Sequence, residues 1–326
     1  MTTPLEMRLL NEFQRNFPLT PAPFEEIART LNSDESTVRR TLQELLEHGV
    51  ISRIGAVFPP HRLGASTLAA LAVPPEQIDA VARQINAYPE VNHNYEREHA
   101  YNIWFVIAAA RRARMKTVLH DIARQSGHRP LYLPMIEDYH IDLGFDLHGK
   151  PQRRQRHNTQ APFTPHTLDR RLIAAIQTGI APISRPYREA ARQTGMTERG
   201  VIQRLKEMVQ GGLIKRWGVI VRHHELGFRA NAMAVWDIPD ERVAALGRCI
   251  SRYSFITLCY RRQRHLPDWP YNLYCMVHGR DRATVGTALA KLRDECGLYD
   301  FGHQVLFSRR RFKQCGARYM ESARAA

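Results

Sequence analysis

The chain has 326 residues, 44% of them hydrophobic and 24% charged, with 47 Lys+Arg against 32 Asp+Glu for a formal net charge of +15. That length predicts about two domains, the composition excludes wholesale disorder, and no apolar run approaches the ~20 residues of a membrane helix. The first ten residues lack the basic and apolar regions of a secretory signal, so the expected location is cytoplasmic, and the basic excess points to an anionic partner.

The chain opens with about fifty residues of helical pattern. A helix is predicted from Pro23 to Leu31, broken at Asn32-Ser33. Ser33 is the expected cap of the next helix, which carries Val38, Leu42, Leu45 and Leu46 on one face and stops at Gly49. A strand with basic residues follows, which completes a winged helix-turn-helix plan. Then come a strand at 65–73, a helix at 75–87, strands at 91–97 and 101–110, a helix at 112–125 and a strand at 131–141. This β-α-β-β-α-β order is that of a ferredoxin-like sandwich. A polar, basic, proline-containing stretch reads as an exposed linker at 147–166.

The plan then repeats. Ser184 and Pro186 open a helix, Gly195 turns it, Thr197 caps the next and Gly211-Gly212 ends that one. Strands and helices are expected at 230–238, 240–253, 256–262, 271–278, 281–296 and 301–312. Individual segments match in order. Arg53-Ile-Gly and His61-Arg-Leu-Gly match Arg216-Trp-Gly and His224-Glu-Leu-Gly; Tyr95-Glu-Arg and Tyr101-Asn match Tyr260-Arg-Arg and Tyr271-Asn. The offset grows from 163 to 170 residues, so the second copy holds a small insertion, mostly within 263–270. The fold class is therefore α+β: a tandem repeat of winged helix-turn-helix plus ferredoxin-like domain. Its expected segments are 1–60, 61–146, the linker 147–166, 167–223 and 224–326.

All five cysteines lie in the second half, their number is odd, and no pair is spaced Cys-x-x-Cys. Neither a disulfide framework nor a zinc site is expected, and no metal ligands are assigned. On the second helices of the two helix-turn-helix segments, Ser36, Thr37, Arg39, Arg40 and Gln43 face counterparts Glu198, Arg199, Gln203, Arg204 and Lys206 that share little with them. A two-fold reader of a palindrome presents similar side chains at both half-sites, so specific DNA binding is not expected.

The segments the copies share most lie in the wing and sheet, where Arg, His, Tyr and Trp recur at strand ends and loops. Arginines beside aromatic faces suit a flat ring bearing several carboxylates: the aromatics stack and the guanidinium groups bind carboxylate in bidentate fashion.

The run from Arg216 to Gly279 resembles the siroheme decarboxylases, an Lrp/AsnC-like family of heme d1 and alternative heme biosynthesis. The wing motif, the His-x-Leu-Gly block, the segment from Ala230 to Val243, Cys259-Tyr-Arg-Arg, Trp269-Pro-Tyr-Asn-Leu and Met276-Val-His-Gly carry the resemblance, and the two-copy layout resembles the fused form. The resemblance implies removal of the C12 and C18 acetate carboxylates of siroheme. It implies no cofactor beyond the substrate's iron, a homodimer, and handover to other heme d1 biosynthesis enzymes. The departing CO₂ leaves an electron pair on carbon that a proton must fill, work suited to histidine. The candidate catalytic residues are His224, His278, Tyr260 and His93. The candidate substrate-binding residues are Arg216, Trp217, Arg261, Arg262, Trp269, Tyr271, Asn272, His61, Tyr95 and Arg97. His278 aligns with Ala108, and His93 with Leu258, so either one half works or one site draws on both. The alternatives are an Lrp/AsnC-type transcription regulator and a silent tetrapyrrole carrier.

Overall fold

The structure, a computed structural model, describes residues 3–59, 62–141, 144 and 163–320, with only the backbone of His223. Most of the expected linker lies outside these residues. No described helix is long and apolar enough to cross a membrane. The elements of the two copies group into two compact units, each drawing on both copies.

The first unit holds α1 (Pro4–Glu12), α2 (Pro23–Leu31), α3 (Glu35–Glu47) and β1 (Ile51–Val57). Their repeats are α6 (Thr167–Ile176), α7 (Pro186–Thr194), α8 (Glu198–Gln210) and β6 (Arg216–Val221). Pro23 and Pro186 sit in the first turns of α2 and α7, where a missing N–H costs nothing. Asn32 and Gly195 end those helices in the left-handed region. The cap of α3 is Asp34, not the expected Ser33: its extended backbone aims the carboxylate at the Thr37 amide, 2.8 Å away. Thr197 caps α8 as expected. Strands β1 and β6 pair antiparallel, with Gly55 opposite Gly218. A Cβ on Gly218 would lie 2.2 Å from the Gln14 carbonyl oxygen, so the repeated Arg-x-Gly has a packing cause in its glycine.

The second unit is a closed eight-stranded barrel. The first copy supplies β2 (Ala65–Leu71), α4 (Ile78–Asn86), β3 (Val91–Arg97), β4 (Ile103–Ala109), α5 (Arg112–Ser126) and β5 (Leu131–Ile141). The second supplies β7 (Ala230–Trp236), α9 (Asp240–Ile250), β8 (Ile256–Arg262), β9 (Leu273–Gly279), α10 (Arg282–Glu295) and β10 (His303–Gln314). Around the barrel the order is β10-β3-β4-β2-β5-β8-β9-β7. Each copy therefore forms the expected ferredoxin-like sheet, and the sheets join at both edges. The long strands β5 and β10 make the joints. Leu131–Pro134 pair with β2, then Met135–Ile141 pair with β8. His303–Phe307 pair with β7, then Ser308–Gln314 pair with β3.

Period-two alternation sorts the side chains. Ala69, Leu71, Ile103, Phe105 and Ile107 face α4 and α5; Ala232, Ala234, Trp236, Cys275 and Val277 face α9 and α10. The opposite faces form one shared interior, with Leu68, Trp104 and Leu133 from the first copy and Met233, Tyr260, Tyr274 and Met276 from the second. Cys249 and Cys296 form a disulfide between α9 and the end of α10, with Cα atoms 6.0 Å apart. That corrects the sequence expectation: the helices lie side by side on one sheet face, a proximity that linear spacing does not reveal.

Candidate active site

Strand β3 turns His93, Tyr95 and Arg97 into the barrel, where they lie beside Val106 and Trp104 of β4. The alternate residues face outward: Asn94 donates to the Ala82 carbonyl, and Glu96 receives Arg310. His93 and Tyr95 stack with centroids 6.3 Å apart. The Arg97 guanidinium is buried, donates to the Leu306 carbonyl at 3.0 Å and lies beside the Met276 sulfur. Burial pushes its pKa down to about 10, partly offset by Tyr95 and Tyr260.

The second copy repeats this row on β8 as Leu258, Tyr260 and Arg262. Arg262 donates to the Leu133 carbonyl at 2.6 Å and stacks on Tyr260 at 4.5 Å. Each arginine thus ties the second strand of its own copy to the last strand of the other, the edges at which the barrel closes.

His278 lies on the inward face of β9, two residues beyond Met276 and directly opposite Asn231 of β7. Its Nε2 is 3.0 Å from the Thr257 hydroxyl. Burial, and then the positive charge of Arg97, hold its pKa down at about 4. The barrel thereby brings together His278 from the second copy and the His93-Tyr95-Arg97 row from the first. Arg311 of β10 pairs opposite Tyr95 and binds Glu225 at 2.8 Å.

Trp269 and Tyr271 belong to the shared interior, and the remaining candidates lie elsewhere. Trp269 comes from the inserted segment and is fully buried. It meets Trp104 at 5.1 Å and Tyr271 at 4.9 Å, and donates to the Tyr274 hydroxyl. Asn272 brackets Ile238, accepting from its N–H at 3.0 Å and donating to its carbonyl at 2.8 Å. Asn102 does the same for Val73 in the first copy. The repeated Tyr-Asn motif therefore has a backbone-locking function. Arg261 faces outward to Asp240 at 2.9 Å. His224 stands on a short turn with its side chain 62% exposed. Arg216 and Trp217 belong to the first unit, both buried on β6, with the indole donating to the Tyr187 hydroxyl. His61 lies outside the described residues.

Sequence reasoning misses Thr257, Asn231 and Arg311. The first two lie in no repeated motif; the third lies in a basic run to which the sequence assigns no role. That run is β10: Arg310 binds Glu96 and Asp79, and Lys313 donates to the Asn86 and Tyr88 carbonyls. Its cations dock the last strand onto the first copy. On the helices that would read DNA, Arg39 pairs with Glu35, Gln43 with Glu47, and Arg204 with Asp169 and Glu207.

The fold and this interior define a class: tandem winged helix-turn-helix segments joined to a fused pair of AsnC-like ligand-binding sheets. Residues 62–140 and 225–313 match the AsnC-like ligand binding domain, and residues 6–51 and 169–215 match the siroheme decarboxylase NirDL-like HTH domain. The siroheme decarboxylase NirDL subunit of Paracoccus pantotrophus is 40% identical, with 98% of each chain covered; that of Paracoccus denitrificans is 38% identical over the same share. A solved siroheme decarboxylase NirDL in co-complex with an iron-uroporphyrin III analogue is 26% identical, with TM-score 0.66, covering 95% of this chain and 92% of that one. The chain belongs to the siroheme decarboxylase family and is a carboxy-lyase.

Proposed function

We propose that this protein removes the C12 and C18 acetate carboxylates of siroheme, yielding 12,18-didecarboxysiroheme and two CO₂ for heme d1 or alternative heme biosynthesis. The observation that carries the reading is the meeting of His278 with Arg97 inside the barrel, beside Tyr95 and Arg311. In each step the bond between the methylene carbon and the carboxylate breaks. The electron pair stays on that carbon, spread into the pyrrole, and a proton from His278 converts it to methyl.

The ring of His278 is neutral at pH 7 in the free protein, because its pKa is near 4. A substrate carboxylate paired with Arg97 cancels the repulsion that helps to hold it there, and the remaining carboxylates raise it further. Substrate binding thus arms the acid. Arg311 binds a second carboxylate, exchanging Glu225 for it. These remote pairings orient the macrocycle while leaving the reacting carboxylate unclamped, since holding it would stabilise the ground state. Tyr260 and His93 complete the polar edge, and Trp269 and Tyr271 give the aromatic floor.

The test is anaerobic incubation with siroheme, followed by mass spectrometry. Two successive losses of CO₂ are expected; siroheme returned unchanged by folded protein would refute the proposal.

A further inference from the structure

We infer that Ser308 is a further substrate-binding residue, whose hydroxyl joins the Arg97 guanidinium in holding one carboxylate of the siroheme ring. Strand β10 leaves β7 after the pair Phe307–Ala232 and joins β3 at the pair Ser308–Arg97. Directly opposed residues of an antiparallel pair point to the same face, with Cβ atoms about 4.5–5.5 Å apart. Ser308 therefore follows Arg97 into the barrel interior, as does Leu306 two residues earlier on β10. One step past Ala232 on β7 is Asn231, which pairs with His278. Because β10 runs between β3 and β7 in the closed barrel, Ser308 stands between Arg97 and the Asn231–His278 pair.

Two donors at this place lack a partner among the described residues. Ser308 Oγ and Arg97 Nε are both buried, and neither makes a hydrogen bond. The other guanidinium nitrogens reach the Leu306 carbonyl and the Met276 sulfur, neither of which is an anion. A buried donor without a partner is costly, and a carboxylate, which only accepts, satisfies both donors with its two oxygens. The other copy supplies the control. Arg262 also buries an Nε without a partner, at the corresponding position of β8. The residue opposite it is Met135, at the corresponding joint of β5, and a thioether donates nothing. The two arginines are alike and their neighbours differ. Ser308 makes a carboxylate site of one, and Met135 leaves the other as scaffold.

This inference rests on the siroheme reading for its ligand. The test is absorbance titration of siroheme into wild type, Ser308→Ala and Met135→Ala, beside a denaturant midpoint for each protein free of siroheme. Ser308→Ala is expected to raise Kd about tenfold, the usual worth of a hydrogen bond to a charged group. Its midpoint is expected to stay at the wild-type value, since the hydroxyl loses no protein partner. Met135→Ala is expected to leave Kd within about twofold; should it fail to fold, Met135→Leu carries the same expectation. A Kd for Ser308→Ala within about twofold of wild type would overturn the proposal, as would an equal rise in the Met135 variant. A lower midpoint in Ser308→Ala would reveal a structural role for the hydroxyl and would overturn it too. Wild type that binds siroheme without releasing CO₂ would refute the decarboxylase reading alone, and the Kd values would still decide the role of Ser308. Wild type that binds no siroheme would refute both.

Discussion

The barrel has two walls built to one plan and charged differently. On one, β3 presents His93, Tyr95 and Arg97, with Arg311 opposite Tyr95 and His278 nearby. On the other, β8 presents Leu258, Tyr260 and Arg262, with Asp138 opposite Tyr260 and Ala108 in place of His278. What both keep is scaffold: the arginine tied to a leucine carbonyl and the asparagine that locks the preceding strand. What differs is the titratable and charged groups. Duplication preserved the frame and an arginine on each wall, and the first wall adds Arg311, His93 and His278 where the second has Asp138, Leu258 and Ala108.

The largest expected effect is on chemistry. His278→Asn should reduce kcat for siroheme by about 10²–10⁴-fold, the usual contribution of a general acid, whereas Ala108→Leu should leave turnover within about twofold. Equal losses from both would break the contrast between the walls. Next is the disulfide, which only the second copy has. Cys249→Ser should lower stability by about 2–4 kcal/mol in denaturant titration, given the 47-residue separation. The scaffold, by contrast, should respond alike in both copies. Asn102→Ala and Asn272→Ala each leave a backbone N–H and carbonyl without their partner, costing about 2–3 kcal/mol.

A smaller effect lies in pH. The folded pKa of His278, about 4, is below its unfolded value, so the fold binds this proton less well than the unfolded chain does. Its stability contribution is complete above about pH 6.5 and is lost as pH falls toward 4, by at most about 3 kcal/mol for a ring that is partly exposed. In His278→Asn the fall in stability over that window should be correspondingly shallower; an identical slope would show that the imidazole titrates normally.

Much of this architecture is legible in the sequence. The strands 91–97, 131–141 and 256–262 have the predicted bounds, because apolar alternation and flanking turns define them locally. Local signals also mark α1, whose Thr3 and Glu6 form a capping box that the pattern reading leaves unused. The closure of the barrel is less legible. It depends on β5 and β10 changing partners midway, and nothing in either strand announces a partner more than a hundred residues away. The candidate site divides the same way. Arg97, Tyr95, His93 and His278 follow from matching the copies, since corresponding strand positions share a face. Thr257 does not, because an irregular register, and no motif, turns it toward the imidazole. His224 also comes from a repeated motif, and the structure places it on an exposed turn.

Titration of siroheme into the protein, followed by its absorbance, tests the asymmetry of the walls most directly. Wild type is expected to bind one equivalent per chain, with Arg311→Glu weakening binding at least about tenfold and Asp138→Asn leaving it unchanged. Two equal sites per chain, or a loss confined to Asp138→Asn, would contradict the assignment of the substrate to the His278–Arg97 wall.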